Sequence, residues 1–207
     1  MSAAWALAWA WWALERASEL PGAPAPIYLQ VPHVHEAFHP EGKADEPFWT
    51  RRAARTGAFV DVSGRPARPF AEAHFAWDAT GLRVALYAAD SDITTGDVFR
   101  LSLATLAAGS KEATVALTPT ATRGFGAGKV GVDLDGTWND PSDDDEEWVV
   151  EVAIPWAALG SERAAEGTSV QVSLERDDAT SGRAGVTISH WGTRRARGML
   201  VLAPALK

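Results

Sequence analysis

The chain has 207 residues, 46% of them hydrophobic and 22% charged, with no cysteine and a formal charge of −8. That length suits one domain of the sandwich or barrel type, and the acidic balance and missing thiols exclude a nucleic-acid footprint, a disulfide framework and thiol chemistry. Ten tryptophans stand out, because rings that large serve either as core or as exposed stacking surface.

Residues 1–20 open with an apolar run, Met1 to Leu14, that holds Trp5, Trp9, Trp11 and Trp12. The run is too short to span a bilayer, which takes about 20 apolar residues. No Lys or Arg precedes it and no clean A-x-A site follows, so two readings stand: a helix capped by Ser2 with Trp5, Trp9 and Trp12 on one face, or an export-signal remnant. Residues 21–26, Pro-Gly-Ala-Pro-Ala-Pro, form neither helix nor central strand and mark a linker. From residue 27 to 207 the signals are β. Segments 27–31, 59–62, 73–77, 82–88, 98–103, 113–118, 129–133, 147–154, 169–175, 186–189 and 199–202 read as strands. Several alternate in the manner of half-buried strands, as Leu82, Val84, Leu86 and Ala88 do against Arg83, Ala85 and Tyr87. Asp78 to Gly81 is a hairpin turn, and helix is confined to turns near Pro47–Ala54 and Pro155–Leu159. The expected fold is all-β, an antiparallel β-sandwich of jelly-roll or immunoglobulin-like type with a short N-terminal helix.

Several residue groups invite chemistry. Asp133-Leu134-Asp135-Gly136-Thr137 reproduces the Asp-x-Asp-Gly-Thr start of haloacid-dehalogenase-type phosphatases. That chemistry needs a parallel βα framework, and no Lys lies between Lys129 and Lys207 to serve it, so the match is a decoy. The same stretch runs on through Asp140, Asp143, Asp144, Asp145, Glu146 and Glu147. Oxygen-rich loops of this kind either stay solvated or bind Ca²⁺. The candidate ligands are Asp133, Asp135 and Asp143, with Asp90 and Asp92 as a second corner. His33 and His35 alternate, so on a strand both rings face one way, as a metal pair with Glu36 or His39 or as an exposed edge. Arg176, Arg183, Arg194, Arg195 and Arg197 surround Trp191 in sequence, either as solvated loop charge or as a basic mouth.

The order of motifs resembles a known family. It runs Gly42, Asp45, Glu46, Pro47, Trp49; then Trp77-Asp78; Asp90; Asp97; Trp148, Glu151, Ile154, Pro155, Trp156; then Trp191 and Gly198. This resembles the family nine carbohydrate-binding modules and the wider set of β-sandwich sugar- or haem-binding domains, over about residues 31–202. Trp49, Trp77, Pro155 and Trp156 read as scaffold, and Glu151 as a surface or cross-strand pair on a polar strand face. The resemblance implies two Trp rings sandwiching a terminal sugar while polar side chains grip its hydroxyls. The late ring maps to Trp191. The other position, three residues before Asp97, holds Thr94, and the position of the gripping Glu, three after it, holds Arg100. Arg100 would grip a carboxylate or sulfate, or pair with an acid across a strand. Trp191, Arg100, Thr94 and Arg176 are therefore the candidate ligand residues.

The leading expectation is a non-catalytic carbohydrate-binding module, secreted or periplasmic, that holds a poly- or oligosaccharide and acts alone or beside a larger secreted enzyme. The resemblance also makes structural Ca²⁺ an expected cofactor, with no organic cofactor and no nucleic-acid partner. A second reading is a protein-interaction or haem-type sandwich, with His190 and Met199 as axial candidates. A third is an enzyme, either a glycoside hydrolase using Glu151 and Glu175 or a phosphatase using Asp133.

Overall fold

A computed structural model describes residues 27–106, 110, 112–142, 144–192 and 197–204. The expected N-terminal helix or export remnant, the linker, Asp143, Arg194 and Arg195 lie outside the described residues. In chain order the elements are β1 (Tyr28–Val31), α1 (Pro47–Arg51), β2 (Ala54–Arg55), β3 (Ala71–Trp77), β4 (Gly81–Ala89), β5 (Val98–Thr105) and β6 (Ala113–Leu117), followed by β7 (Val130–Asp135), β8 (Glu147–Pro155), a 3₁₀ turn (Trp156–Leu159), β9 (Ser169–Ala179), β10 (Val186–Trp191) and β11 (Gly198–Leu202). Among the described residues no helix is long and apolar enough to cross a membrane.

The strands form a sandwich of two sheets. One runs β1-β11-β9-β5-β6 with β10 also on β9; the other runs β2-β3-β4-β8-β7. Every pairing is antiparallel except β1 with β11, which is parallel. The departure from the all-antiparallel expectation arises because β1 lies along β11 and then crosses to the other sheet, where Val34 N–H donates to the Trp77 carbonyl at 2.9 Å and Trp77 N–H to that of Pro32 at 3.0 Å. Inward positions alternate along each strand, as in Phe99, Leu101 and Leu103 of β5 or Val170, Val172 and Leu174 of β9. Trp77, Trp148, Trp156 and Trp191 join the phenylalanines between the sheets. Expected strand 59–62 is not one: Phe59 is core and Val60 makes only isolated bridges, to Pro66 and His190. Asp61 turns the chain there by accepting the N–H groups of Ser63 and Arg65.

β4 is buried on both faces, since Arg83 and Ala85 are covered as well as Leu82, Val84 and Leu86. The cover is residues 33–53, a strap that carries α1 across the outer face of the β3-β4-β8 sheet. Val34, Phe48 and Trp49 pack there on Ala76 and Ala85. Burying a ring such as Phe48 contributes about 2–3 kcal/mol. Glu151, on the middle of β8, fastens the strap. Its carboxylate accepts the backbone N–H of Glu41 at 3.0 Å and of Gly42 at 2.8 Å, and the Trp49 indole N–H at 2.7 Å. Gly42 has φ +89° and lies so close to β7 that a Cβ would fall 2.2 Å from the Asp133 amide nitrogen. The sequence expectation of a surface or cross-strand Glu151 is thereby corrected, since the strap buries it to 1% exposure. At the strap's other side Arg83 donates to the Glu36 carbonyl at 2.6 Å, pairs with Asp78 and lies over the rings of Phe38 and Phe48.

Candidate functional site

The β4–β5 turn (residues 90–97), the described parts of the β7–β8 loop (136–142 and 144–146), the β9–β10 turn (180–185) and the segment leading into β3 (68–70) meet at one end of the sandwich. They are tied by backbone bonds: Asp90 N–H to the Glu146 carbonyl at 2.9 Å, Asn139 N–H to Ile93 at 2.7 Å and Ala89 N–H to Phe70 at 2.9 Å. Side chains add to this. Asp145 accepts the N–H of Ile93 and, at 2.6 Å, of Thr137; Asp92 accepts from the backbone and hydroxyl of Ser181.

Beneath these loops lies a buried charge cluster. Arg176 projects inward from β9 with no exposure at all, and donates to the Phe70 carbonyl at 3.0 Å, to Asp90 at 3.0 Å and to Asp178 at 2.6 Å. Asp178 shares its face because it lies two residues along the strand. Asp97 completes the group and accepts the N–H of Ala179 at 2.8 Å and of Thr94. Oxygens of Asp90, Asp97 and Asp178 all lie within 4.8 Å of one another. Three carboxylates face one guanidinium, so the cluster resists full ionisation. Burial, with Asp97 beside it, pushes Asp90 up to about 7 against the pull of Arg176. Burial also raises Asp97 and Asp178. These are hard oxygen donors with surplus negative charge, the donor chemistry that suits Ca²⁺.

A cavity of about 270 Å³ opens beside this cluster, lined by Arg68, Pro69, Phe70, Ala89, Asp90, Ser91, Asp145 and Glu146. A smaller one of about 200 Å³ lies at the opposite end, where Phe38, Asp78 and Arg83 line it with Leu82, Ile154 and Pro155. The second is walled by the strap and its anchoring arginine.

The sequence-derived candidates fall into distinct places. Trp191 is 6% exposed, packed on Phe75 with a ring centroid distance of 6.4 Å and so near Gly198 that a Cβ there would meet the indole at 2.4 Å. The ring is core and leaves no open face for a sugar. Arg100 projects from the outer face of β5 and pairs with Asp177 and, at 3.4 Å, with Glu175 of neighbouring β9. Of the arginines around Trp191 in sequence, Arg176 is enclosed by its acids and Arg197 pairs with Glu112 at 2.7 Å, so neither gives free charge to a basic mouth. Thr94 is buried; its hydroxyl accepts the Gly96 N–H and its backbone N–H goes to Asp97. Of the metal candidates, Asp90 is in the carboxylate cluster and Asp92 is beside it, bound to Ser181. Asp133 and Asp135 are exposed on edge strand β7 and do not join it. The His33 and His35 rings are neighbours at 4.6 Å, but among the described residues no third metal-ligating side chain converges on them. His190 and Met199 lie opposite Glu175 and Gln171 of β9, on one face of the sheet, so they cannot grip a ring from two sides.

Sequence reasoning missed Asp97 and Asp178 as members of the cluster, Asp145 as the loop anchor, and Trp138, which is 43% exposed on the β7–β8 loop. The i, i+2 spacing of Arg176 and Asp178 signals a shared face. The isolation of Trp138 among polar residues signals a solvent-facing ring.

The fold matches solved structures. One is a family 9 carbohydrate-binding module (CBM9) from Caldicellulosiruptor kristjanssonii in complex with cellotriose, with TM-score 0.59 and 14% identity over 88% of this chain and 95% of that one. Its complex with glucose gives TM-score 0.58 and 13% identity over 88% and 97%. A putative carbohydrate-binding protein from Bacteroides uniformis ATCC 8492 gives TM-score 0.56 and 13% identity over 85% and 99%. No protein-family model matches the chain, and no curated protein sequence does. At these identities the likeness establishes the β-sandwich that the order of motifs suggests.

Proposed function

We propose that this chain is a non-catalytic carbohydrate-binding module, holding a poly- or oligosaccharide at the loop end above Arg176. The observation that supports the reading most is the match of nearly the whole sandwich to modules whose solved complexes contain cellotriose and glucose. The loop end adds a cavity with one aromatic wall, Phe70, and hydroxyl and carboxylate groups around it. A sugar needs that mixture of an apolar face and paired donors and acceptors. Glu151, the carboxylate that a glycosidase reading would require, has both oxygens committed to the strap. Structural Ca²⁺ belongs to the reading, with Asp90, Asp97 and Asp178 as its holders; it would balance their charge and fix the β4–β5 and β9–β10 turns. The chain would then act outside the cytoplasm, as a secreted or periplasmic protein, alone or with a larger secreted enzyme.

A glycan array probed with the full chain in calcium buffer tests the binding. Retention on at least one class of oligosaccharide is expected, and a blank array overturns the proposal. Calcium is tested by thermal melts with CaCl₂ and with chelator, where equal melting temperatures would remove the ion from the account.

A further inference from the structure

We infer that Trp138 is the ring on which this chain stacks a neutral pyranose, with a neighbouring sugar of the same oligosaccharide in the cavity beside Asp145. The inference rests on the sugar-binding reading above and names the ligand class and the residue within it.

Trp138 is the exposed exception among the described tryptophans. It is 43% exposed, whereas Trp49, Trp77, Trp148, Trp156 and Trp191 range from 0 to 6%. Yet its backbone is held on both sides. The preceding Thr137 N–H donates to Asp145 at 2.6 Å, and the following Asn139 N–H donates to the Ile93 carbonyl at 2.7 Å. Asn139 takes a left-handed φ of +58° to make that turn, a conformation asparagine tolerates better than most residues. A large ring is therefore held out to water on a fixed backbone, which lowers the entropy lost when a ligand stacks on it.

The surroundings select the ligand. Gly136, Thr137, Asn139 and Asp140 flank the ring in sequence, so it is not the centre of a continuous apolar segment. A protein interface draws its energy from a wide buried patch, while a pyranose needs one aromatic face with polar groups at its rim. The end of β7 exposes Asp135, and the same loop exposes Asp140, Asp144 and Glu146. Four like charges repel uronate and sulfate groups, which selects neutral sugars. Asp145 ties the backbone of this loop to the cavity's edge, since one oxygen binds the Thr137 amide that precedes Trp138 and the residue also lines the cavity of about 270 Å³. Phe70 supplies an apolar wall there, against which a second sugar unit would rest.

The test is titration calorimetry of the full chain with cellohexaose, mannohexaose and polygalacturonate, for wild type, Trp138→Ala and Trp138→Phe. Wild type is expected to bind a neutral hexaose and not polygalacturonate. Trp138→Ala should weaken that binding roughly tenfold or more, and Trp138→Phe less, because the smaller ring keeps part of the stacking surface. The melting temperature should stay unchanged, since the ring is outside the core. Equal affinity in wild type and Trp138→Ala overturns the inference and leaves the sugar-binding reading standing. Preference for polygalacturonate overturns the neutral class. Binding to none of the three probes overturns the inference, and together with a blank glycan array it overturns the sugar-binding reading as well. A dimer in sedimentation analysis that Trp138→Ala dissolves would assign the ring to self-association instead, and would also overturn the inference.

Discussion

Replacing Glu151 by alanine removes the acceptor that fastens the strap to the sheet. The Gly42 N–H and the Trp49 indole N–H, bonded at 2.8 and 2.7 Å in buried positions, are left without partners. Each such donor costs about 1–3 kcal/mol. The Glu41 N–H is only part-buried and regains water, so it adds little. Against this, the variant relieves the burial that raises the Glu151 pKa. The net loss is about 2–4 kcal/mol, which for a domain of this size lowers the melting temperature by about 4–16 °C. Glu151→Gln keeps one acceptor oxygen but turns its NH₂ toward donors, so it should fall between the two. Calorimetry reads the stability, and near-ultraviolet circular dichroism reads whether Trp49 keeps its fixed surroundings. Melting within about 1 °C of wild type for both variants, with the Trp49 signal intact, would refute the reasoning that Glu151 is the strap's anchor.

Gly198→Ala places a methyl group 2.4 Å from the Trp191 ring and should destabilise by about 1–3 kcal/mol or more through overpacking; urea unfolding checks it, and no change would mean the ring has room to move. Arg176→Met leaves Asp90, Asp97 and Asp178 without their buried cation and should cost about 3–5 kcal/mol, with calcium recovering part of the melting temperature. In chelator, stability should fall as pH rises from about 4 to about 7, because Asp90, raised to about 7, holds a proton in the folded state that the unfolded chain releases near 3.9. The full effect is on the order of 2–4 kcal/mol, read as the difference in melting temperature between pH 5 and pH 8; an equal pH slope in Asp90→Asn would contradict it. With calcium present the ion competes with protons, so its stabilisation should be largest near pH 8 and fade toward pH 5.

Most of the frame was legible in the residues. The alternation in β4 and β5 gave their inward faces, and Pro155 before Trp156 marked the passage from β8 into a 3₁₀ turn. The pairing of Arg100 was one of the two readings its position allowed, and register sets it directly opposite Glu175. The role of Glu151 was hidden because a charged residue alternating with the core positions Val150 and Val152 reads as solvent-facing; only a strap more than a hundred residues away in the chain makes it interior. Trp191 misled for the reverse reason. Its neighbours in sequence are polar and basic, but register opposite Leu174 points it inward, and Gly198 makes the space it fills. The carboxylate cluster was half legible: Asp90 was singled out, while Asp97 lies at the far end of the same β4–β5 turn and Asp178 comes from β9, and only the fold brings the three together.

The central claim is that the loop end above Arg176 holds a sugar. Heteronuclear NMR of the full chain during titration with cellohexaose tests it most directly. The account predicts shifts of the Trp138 indole and of amides in residues 90–97 and 136–146, with the Arg83 end unmoved. Shifts confined to the surroundings of Arg83 and Phe38, or none at saturating oligosaccharide, would contradict it.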